Sequence, residues 1–267
     1  MTQKEMTDIL TAQANKMFAL EAELSGEIRA LIVEAAKKLI EVGYSMPDKG
    51  KQFVFGDNKK VNEILNSLYI AIYNLIYDYA KREVKITDEV ANNLGITPNS
   101  DRTEEFFALL FNGRTLQERI EDELQKFANE VEAYVAVGRF NGLSKEGTAN
   151  TYLQNIRAPQ QSTIILAAIG VGFLAQFANS IRRPGRGRLN SSLRSLERIG
   201  EDMMLYNYAR LNRENFTRKF KRKMIITMGD DLVCGACDDA AMQTYSIEED
   251  VVPLHGNCRC IEVPIAS

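Results

Sequence analysis

The feature that most restricts this chain lies at its carboxyl end. All four cysteines and the single histidine fall in one short tail, as Cys234-Gly-Ala-Cys237 and, after a spacer, His255-Gly-Asn-Cys258-Arg-Cys260. A Cys-x-x-Cys knuckle lets two thiolates reach one ion from a tight turn, and a second arm can close a tetrahedron of sulfur and nitrogen around zinc. Five candidates compete for four places. Cys258 and Cys260 stand at the strand period, so extended backbone points both side chains the same way. The expected ligands are Cys234, Cys237 and Cys258, with His255 or Cys260 as the fourth. Gly256 gives the loop entered at Pro253 the freedom to turn. The alternatives are reduced thiols that simply pack and a pair of disulfides, which suits an exported protein. The abundance of sulfur favours a closed, structural zinc over an open catalytic one.

With 267 residues, 45% of them hydrophobic, the chain can bury a substantial core. A net charge of -3 excludes a general polycation but not a local basic face. The amino terminus is polar and acidic, so no secretory leader is expected, and free thiols point to a reducing cytoplasm.

Helical periodicity governs most of what precedes the tail. Leu10, Met17, Leu20, Leu24, Leu31, Ala35 and Leu39 recur at steps of three or four, which predicts an amphipathic helix over 7–42, with a break at Ser25-Gly26. Phe53-Val-Phe55 reads as a short strand or an apolar latch. Asp57 is the expected N-cap of a second helix ending near Arg82, which carries Tyr69, Tyr73, Tyr77 and Tyr79. Thr87 and Asp101 or Thr103 are expected to cap two further short helices. Thr115-Leu-Gln-Glu118 has the capping-box pattern, and its helix should end at Gly138. Ser144 opens another, and Ser191 or Ser192 opens the last, which should reach Phe220. The stretch from Ile164 to Ala178 is apolar almost throughout, yet short for a bilayer span and interrupted by Gly170, Gly172 and Gln176. Burial in a core or an assembly is expected there. Met224 to Thr227, Thr244 to Ile247 and Cys258 to Pro264 read as short strands.

The expected fold is therefore mainly α, a multi-helix body with a small C-terminal β element held by a Cys/His metal knuckle. Its regions are 1–95, an N-terminal helical region, 96–223, a helical core with the apolar segment and a basic loop, and 224–267, the knuckle with its strands. The basic loop carries Arg182, Arg183, Arg186 and Arg188, and the helix after it continues with Arg194 and Arg198. Arginine forks suit phosphate and carboxylate alike, so these six are the candidate surface for a DNA backbone or an acidic protein. Further basic residues, from Arg210 to Lys223, extend the bias along that helix and its exit. No aromatic residues interleave with the loop arginines, so base-specific reading is not expected.

Catalysis finds little support. No Gly-x-x-x-x-Gly-Lys-Ser/Thr loop is present, so the chain is not a packaging ATPase. The His-x-Glu of nucleobase deaminases is absent, and one histidine is too few for an HNH-type nuclease.

The run Lys223-Met-Ile-Ile-Thr-Met-Gly-Asp230-Asp-Leu-Val-Cys234-Gly-Ala-Cys237, the patch around Tyr245, and Pro253-Leu-His255-Gly-Asn-Cys258-Arg-Cys260 together resemble the signature of the Mu F-like minor head proteins, or head morphogenesis proteins, of tailed phages. The chain departs from the signature at Gly256, where the family commonly has proline, and in the spacer. Upstream, Gly113-Arg-Thr-Leu-Gln-Glu-Arg119-Ile, Asn141-Gly-Leu-Ser-Lys and Ala209-Arg-Leu-Asn-Arg-Glu214-Asn resemble further family segments in the expected order. The resemblance implies a structural virion protein without enzymatic activity, present in the host cytoplasm during assembly. Its implied partners are the portal or capsid protein and packaged DNA or its exit path. Two alternatives remain: an internal cargo protein that is ejected with the genome and meets a membrane through Ile164 to Ala178, and a zinc-dependent hydrolase or toxin-like effector.

Overall fold

A computed structural model describes residues 1–47, 54–98, 103–109, 113–175, 191–228, 233–241, 243–253 and 258–266. The described chain is mainly helical and ends in a small three-stranded sheet, the class expected. The helices are α1 (Gln3–Ser45), α2 (Lys59–Asn93), α3 (Thr103–Phe107), α4 (Leu116–Phe140), α5 (Lys145–Gln154), α6 (Thr163–Ala168), α7 (Ser192–Phe216) and α8 (Gly235–Ala240). The strands are β1 (Arg222–Thr227), β2 (Thr244–Ser246) and β3 (Cys260–Pro264).

Several helix boundaries depart from the sequence reading, each for a local reason. α1 opens with a capping box of its own: the Thr2 hydroxyl accepts from the Glu5 N–H at 3.2 Å, and the Glu5 carboxylate accepts from the Thr2 N–H at 2.7 Å. It then runs unbroken through Ser25-Gly26, because its stripe of buried Leu24, Ile28 and Ile32 outweighs the roughly 1 kcal/mol that glycine costs in a helix. The second helix is capped by Asn58 rather than Asp57; the Asn58 amide oxygen accepts from the N–H groups of Lys60 and Val61 at 3.0 and 3.3 Å. Thr87 caps nothing. It is buried inside α2, and its hydroxyl donates to the carbonyls of Glu83 and Val84. No strand forms at Val54 and Phe55, though Phe55 is buried and donates its N–H to the Glu132 carboxylate. Phe53 and Asp101 lie outside the described residues.

The expected capping box at Thr115 and cap at Ser144 are present. Gly138 does not end α4. A Cβ there would lie 2.2 Å from the Thr148 hydroxyl, so this glycine serves close approach of α5, and the turn is made by Asn141 and the left-handed Gly142. α7 ends at Phe216, four residues short of Phe220.

Contacts group the chain into two units, each built from separated stretches: Met1–Ser25, Leu75–Leu109 and Gly200–Ser267 in the first, and Gly26–Asn74 with Leu110–Ile199 in the second. α1, α2 and α7 each contribute to both.

In the first unit β1 is the central strand, antiparallel to both β2 and β3. Strand alternation splits the sheet into two faces. Met224, Ile226, Ile261 and Val263 pack with Met6, Leu10, Ala14, Val90, Leu94 and Phe216 from the helices. Ile225 and Cys260, on the opposite face, pack with Leu205, Cys237, Val252 and Cys258. In the second unit Ile120, Leu124, Phe127, Val131 and Leu196 are buried, and the rings of Tyr134 and Tyr152 meet edge-on at 5.0 Å. The apolar segment also belongs there. It is broken into α6 and a 3-10 turn at Gly172–Leu174, with Ile165, Ala168 and Leu174 buried. Among the described residues no helix is long and apolar enough to cross a membrane. Residues 176–178 lie outside the description.

Candidate metal centre

Both cysteine arms are carried to one face of β1. Cys234 stands immediately before α8 and Cys237 within it, with the Asp238 N–H donating to the Cys234 carbonyl at 3.0 Å to close the knuckle turn. At the exit of α8, Ala241 bridges to Ile225 of β1. Cys260 opens β3 opposite Thr227, and Cys258 lies just before it. Between them Arg259 turns away, placing its guanidinium 3.9 Å from the centre of the Phe18 ring of α1. That contact fixes the second arm while its two cysteines face inward.

The sulfurs converge. Cys237, Cys258 and Cys260 are buried, and their Sγ atoms all lie within 4.8 Å of one another, a cluster that can hold a metal ion. The Sγ of Cys237 is 3.9 Å from that of Cys258 and 3.7 Å from that of half-buried Cys234. All four cysteines are free thiols rather than disulfides. His255 lies outside the described residues. The arrangement brings in both Cys258, an expected ligand, and Cys260, the expected alternative to His255 for the fourth place.

Burial pushes the Cys237 thiol up, and a hydrogen bond with Cys258 together with burial pushes Cys260 up. Neighbouring thiolates would repel one another in a site closed to water, so ionising these two together calls for a cation beside them. A bound metal is such a cation, and binding releases their protons.

Next to the cluster on the same face lies a buried ion pair that sequence reasoning missed. The Lys223 ammonium sits 2.7 Å from Glu262, both side chains almost fully enclosed, and also donates to the Glu249 carbonyl. Arg213 approaches Glu262 at 3.6 Å and Asp250 at 2.6 Å. Burial lowers the Lys223 pKa and raises that of Glu262, each against the pull of the other. The signal available was register alone: Lys223 and Glu262 fall on the face of Ile225 and Cys260.

Of the further basic residues, Arg218 and Lys219 are exposed, and Lys223 is not. Lys223 is interior, Arg210 pairs with Glu214 and stacks on Phe106, and Arg218 and Lys219 donate to the carbonyls of Thr97 and Leu94. Of the arginines singled out as a partner surface, Arg194 is exposed and Arg198 half-buried on α7, whereas Arg182, Arg183, Arg186 and Arg188 lie outside the described residues. Asp238 and Asp239 are exposed on α8.

Scans of the chain against protein-family models, curated proteins and solved structures give no match.

Proposed function

We propose that the chain is a structural minor capsid or head morphogenesis protein of a tailed bacteriophage, associating with the portal or inner capsid and remaining in the virion near packaged DNA or its exit path. The observation that carries this reading is the signature at the carboxyl end. Its Cys-x-x-Cys and Cys-x-Cys arms, in the order and context of the Mu F-like family, supply sulfurs to one buried cluster. The ion is zinc on this reading. A zinc–sulfur bond of about 2.3 Å gives a tetrahedron with edges of about 3.8 Å, and the separations of 3.7 and 3.9 Å fit it. Cys237, Cys258 and Cys260 supply three ligands, and Cys234 or His255 completes the set. Zinc held this way supplies a cross-link rather than an activated water, so the tail is fastened and nothing is turned over.

The test is location and metal together. Mass spectrometry of purified heads from the phage that encodes the chain should find it in the particle, and metal analysis of reduced protein should give one zinc per chain. Absence from heads and their precursors ends the structural reading.

A further inference from the structure

In the second unit, arginines from separate elements meet on one carboxylate. Arg29 of α1 donates to Oε1 of Glu197 through Nε at 3.1 Å and Nη2 at 2.9 Å, and Arg157, in the turn after α5, donates to the same oxygen through Nη2 at 3.3 Å. Arg194, one turn before Glu197 on α7, is exposed and adds its positive field to that carboxylate. The Glu197 side chain is 8% exposed, but those of Arg29 and Arg157 are 45% and 49% exposed. Among the described residues, Glu197 is the only acidic group ion-paired with Arg29 or Arg157.

One arginine would compensate Glu197. Pairing two with the same oxygen, with the field of Arg194 added, leaves the site with excess positive charge. Each guanidinium carries five N–H donors in a planar fork, and most of those on Arg157 point elsewhere than Glu197. A buried carboxylate thus fixes cations that it cannot neutralise, with their outer edges in solvent.

We infer that Arg29 and Arg157, held by Glu197, together with the exposed Arg194 beside them, bind the phosphodiester backbone of double-stranded nucleic acid. Guanidinium forks match phosphate oxygens two at a time. A polyanion with one charge per roughly 1.7 Å of axis suits a cluster of arginines better than a partner with isolated carboxylates. The cluster includes no stacking aromatic, so the contact is to backbone and independent of sequence. The site deepens the proposed role and rests on it for its setting, since packaged DNA is the ligand that the role provides.

The experiment measures fluorescence anisotropy of a labelled mixed-sequence DNA duplex with the full chain over a salt series, beside binding to vesicles containing an anionic phospholipid. Each phosphate neutralised contributes about -0.9 to the slope of log affinity against log salt. Arg29→Ala/Arg157→Ala should reduce the magnitude of the slope by about 2 and weaken binding tenfold or more near 0.1 M salt. Arg194→Ala, whose side chain takes part in no ion pair among the described residues, should reduce it by about 1 and decides the matter if the double variant does not fold. Unchanged slopes, no DNA binding, or binding to vesicles without binding to DNA would overturn the site. If the protein is in heads but the variants bind DNA as before, the site falls and the role stands; if the variants lose DNA binding but the protein is absent from heads, the reverse holds.

Discussion

Glu262 and Glu130 are both buried carboxylates, one in each unit, and their surroundings differ in kind. Glu262 faces cations, Lys223 at 2.7 Å and Arg213 at 3.6 Å, and lies on the sheet face of the buried cysteine cluster. Glu130 meets neutral donors instead: the Ser192 N–H at 2.9 Å, the Ser192 hydroxyl at 2.7 Å and the Tyr152 hydroxyl at 3.4 Å. Burial raises the pKa of both. The first region is held by opposed charges, so removing one member leaves the other buried and unmatched. In the second, the carboxyl can take up a proton and keep its place. Fixed charge and adjustable charge should therefore respond differently to mutation and to pH.

The largest effect is expected where a cation joins several buried groups. Cys258→Ser should abolish metal binding, and amide exchange along β1 should speed up at least a hundredfold, since structural zinc contributes roughly 10–16 kcal/mol of binding in small peptides at neutral pH. Metal analysis and hydrogen exchange read the two consequences separately. Metal lost with exchange unchanged would mean that packing alone holds the sheet, and the contrast between the regions would lose its stronger half.

A smaller loss should follow from breaking the neighbouring pair. Lys223→Met leaves Glu262 without its nearest cation, and breaking a buried pair in this way costs about 3–5 kcal/mol. Lys223→Met/Glu262→Leu should recover most of that, because two apolar side chains of similar size make no such demand. Urea unfolding of the two variants compares them directly. Equal loss in both would show that the pair acts through its shape and not its charge.

How far these features were legible depends on whether they are local. The caps at Thr115 and Ser144, the three strands and the α1 stripe follow from neighbours within a few residues, and they are where the spacing puts them. The break at Ser25-Gly26 and the cap at Thr87 failed because tertiary burial overrode local preference. The cysteines were legible as a cluster, since their types are rare and concentrated, but the convergence of Cys258 and Cys260 on Cys237 needed the sheet register. Glu130, Glu262 and Glu197 carry no local signal. A glutamate bound for the interior looks like any other until its partners, 62 positions away for Ser192 and 39 for Lys223, are brought to it.

The smallest effect, and the one that separates the two carboxylates most cleanly, is the pH response of Glu130. Its pKa is pushed up from 4.5 to about 7, chiefly by burial, with Ser192 and the more distant charge of Lys126 pulling it down and Glu123 pushing it up. Tyr152 is itself held neutral by burial, so it donates and does not compete for the negative charge. Between those two pH values the folded chain keeps a proton that the unfolded chain has released. The contribution to stability is therefore complete below about pH 4.5 and is lost as pH rises through about 7, amounting to about 3 kcal/mol. Glu130→Gln keeps an acceptor for the Ser192 N–H and has no proton to lose. The difference in unfolding free energy between the natural chain and this variant, taken from urea titrations between pH 5 and pH 8, should shift against the natural chain by about that amount. Taking the difference cancels the other carboxyls. A difference that stays flat would mean that Glu130 remains ionised in the interior, which requires a cation close to it, and the two units would then bury charge in the same way.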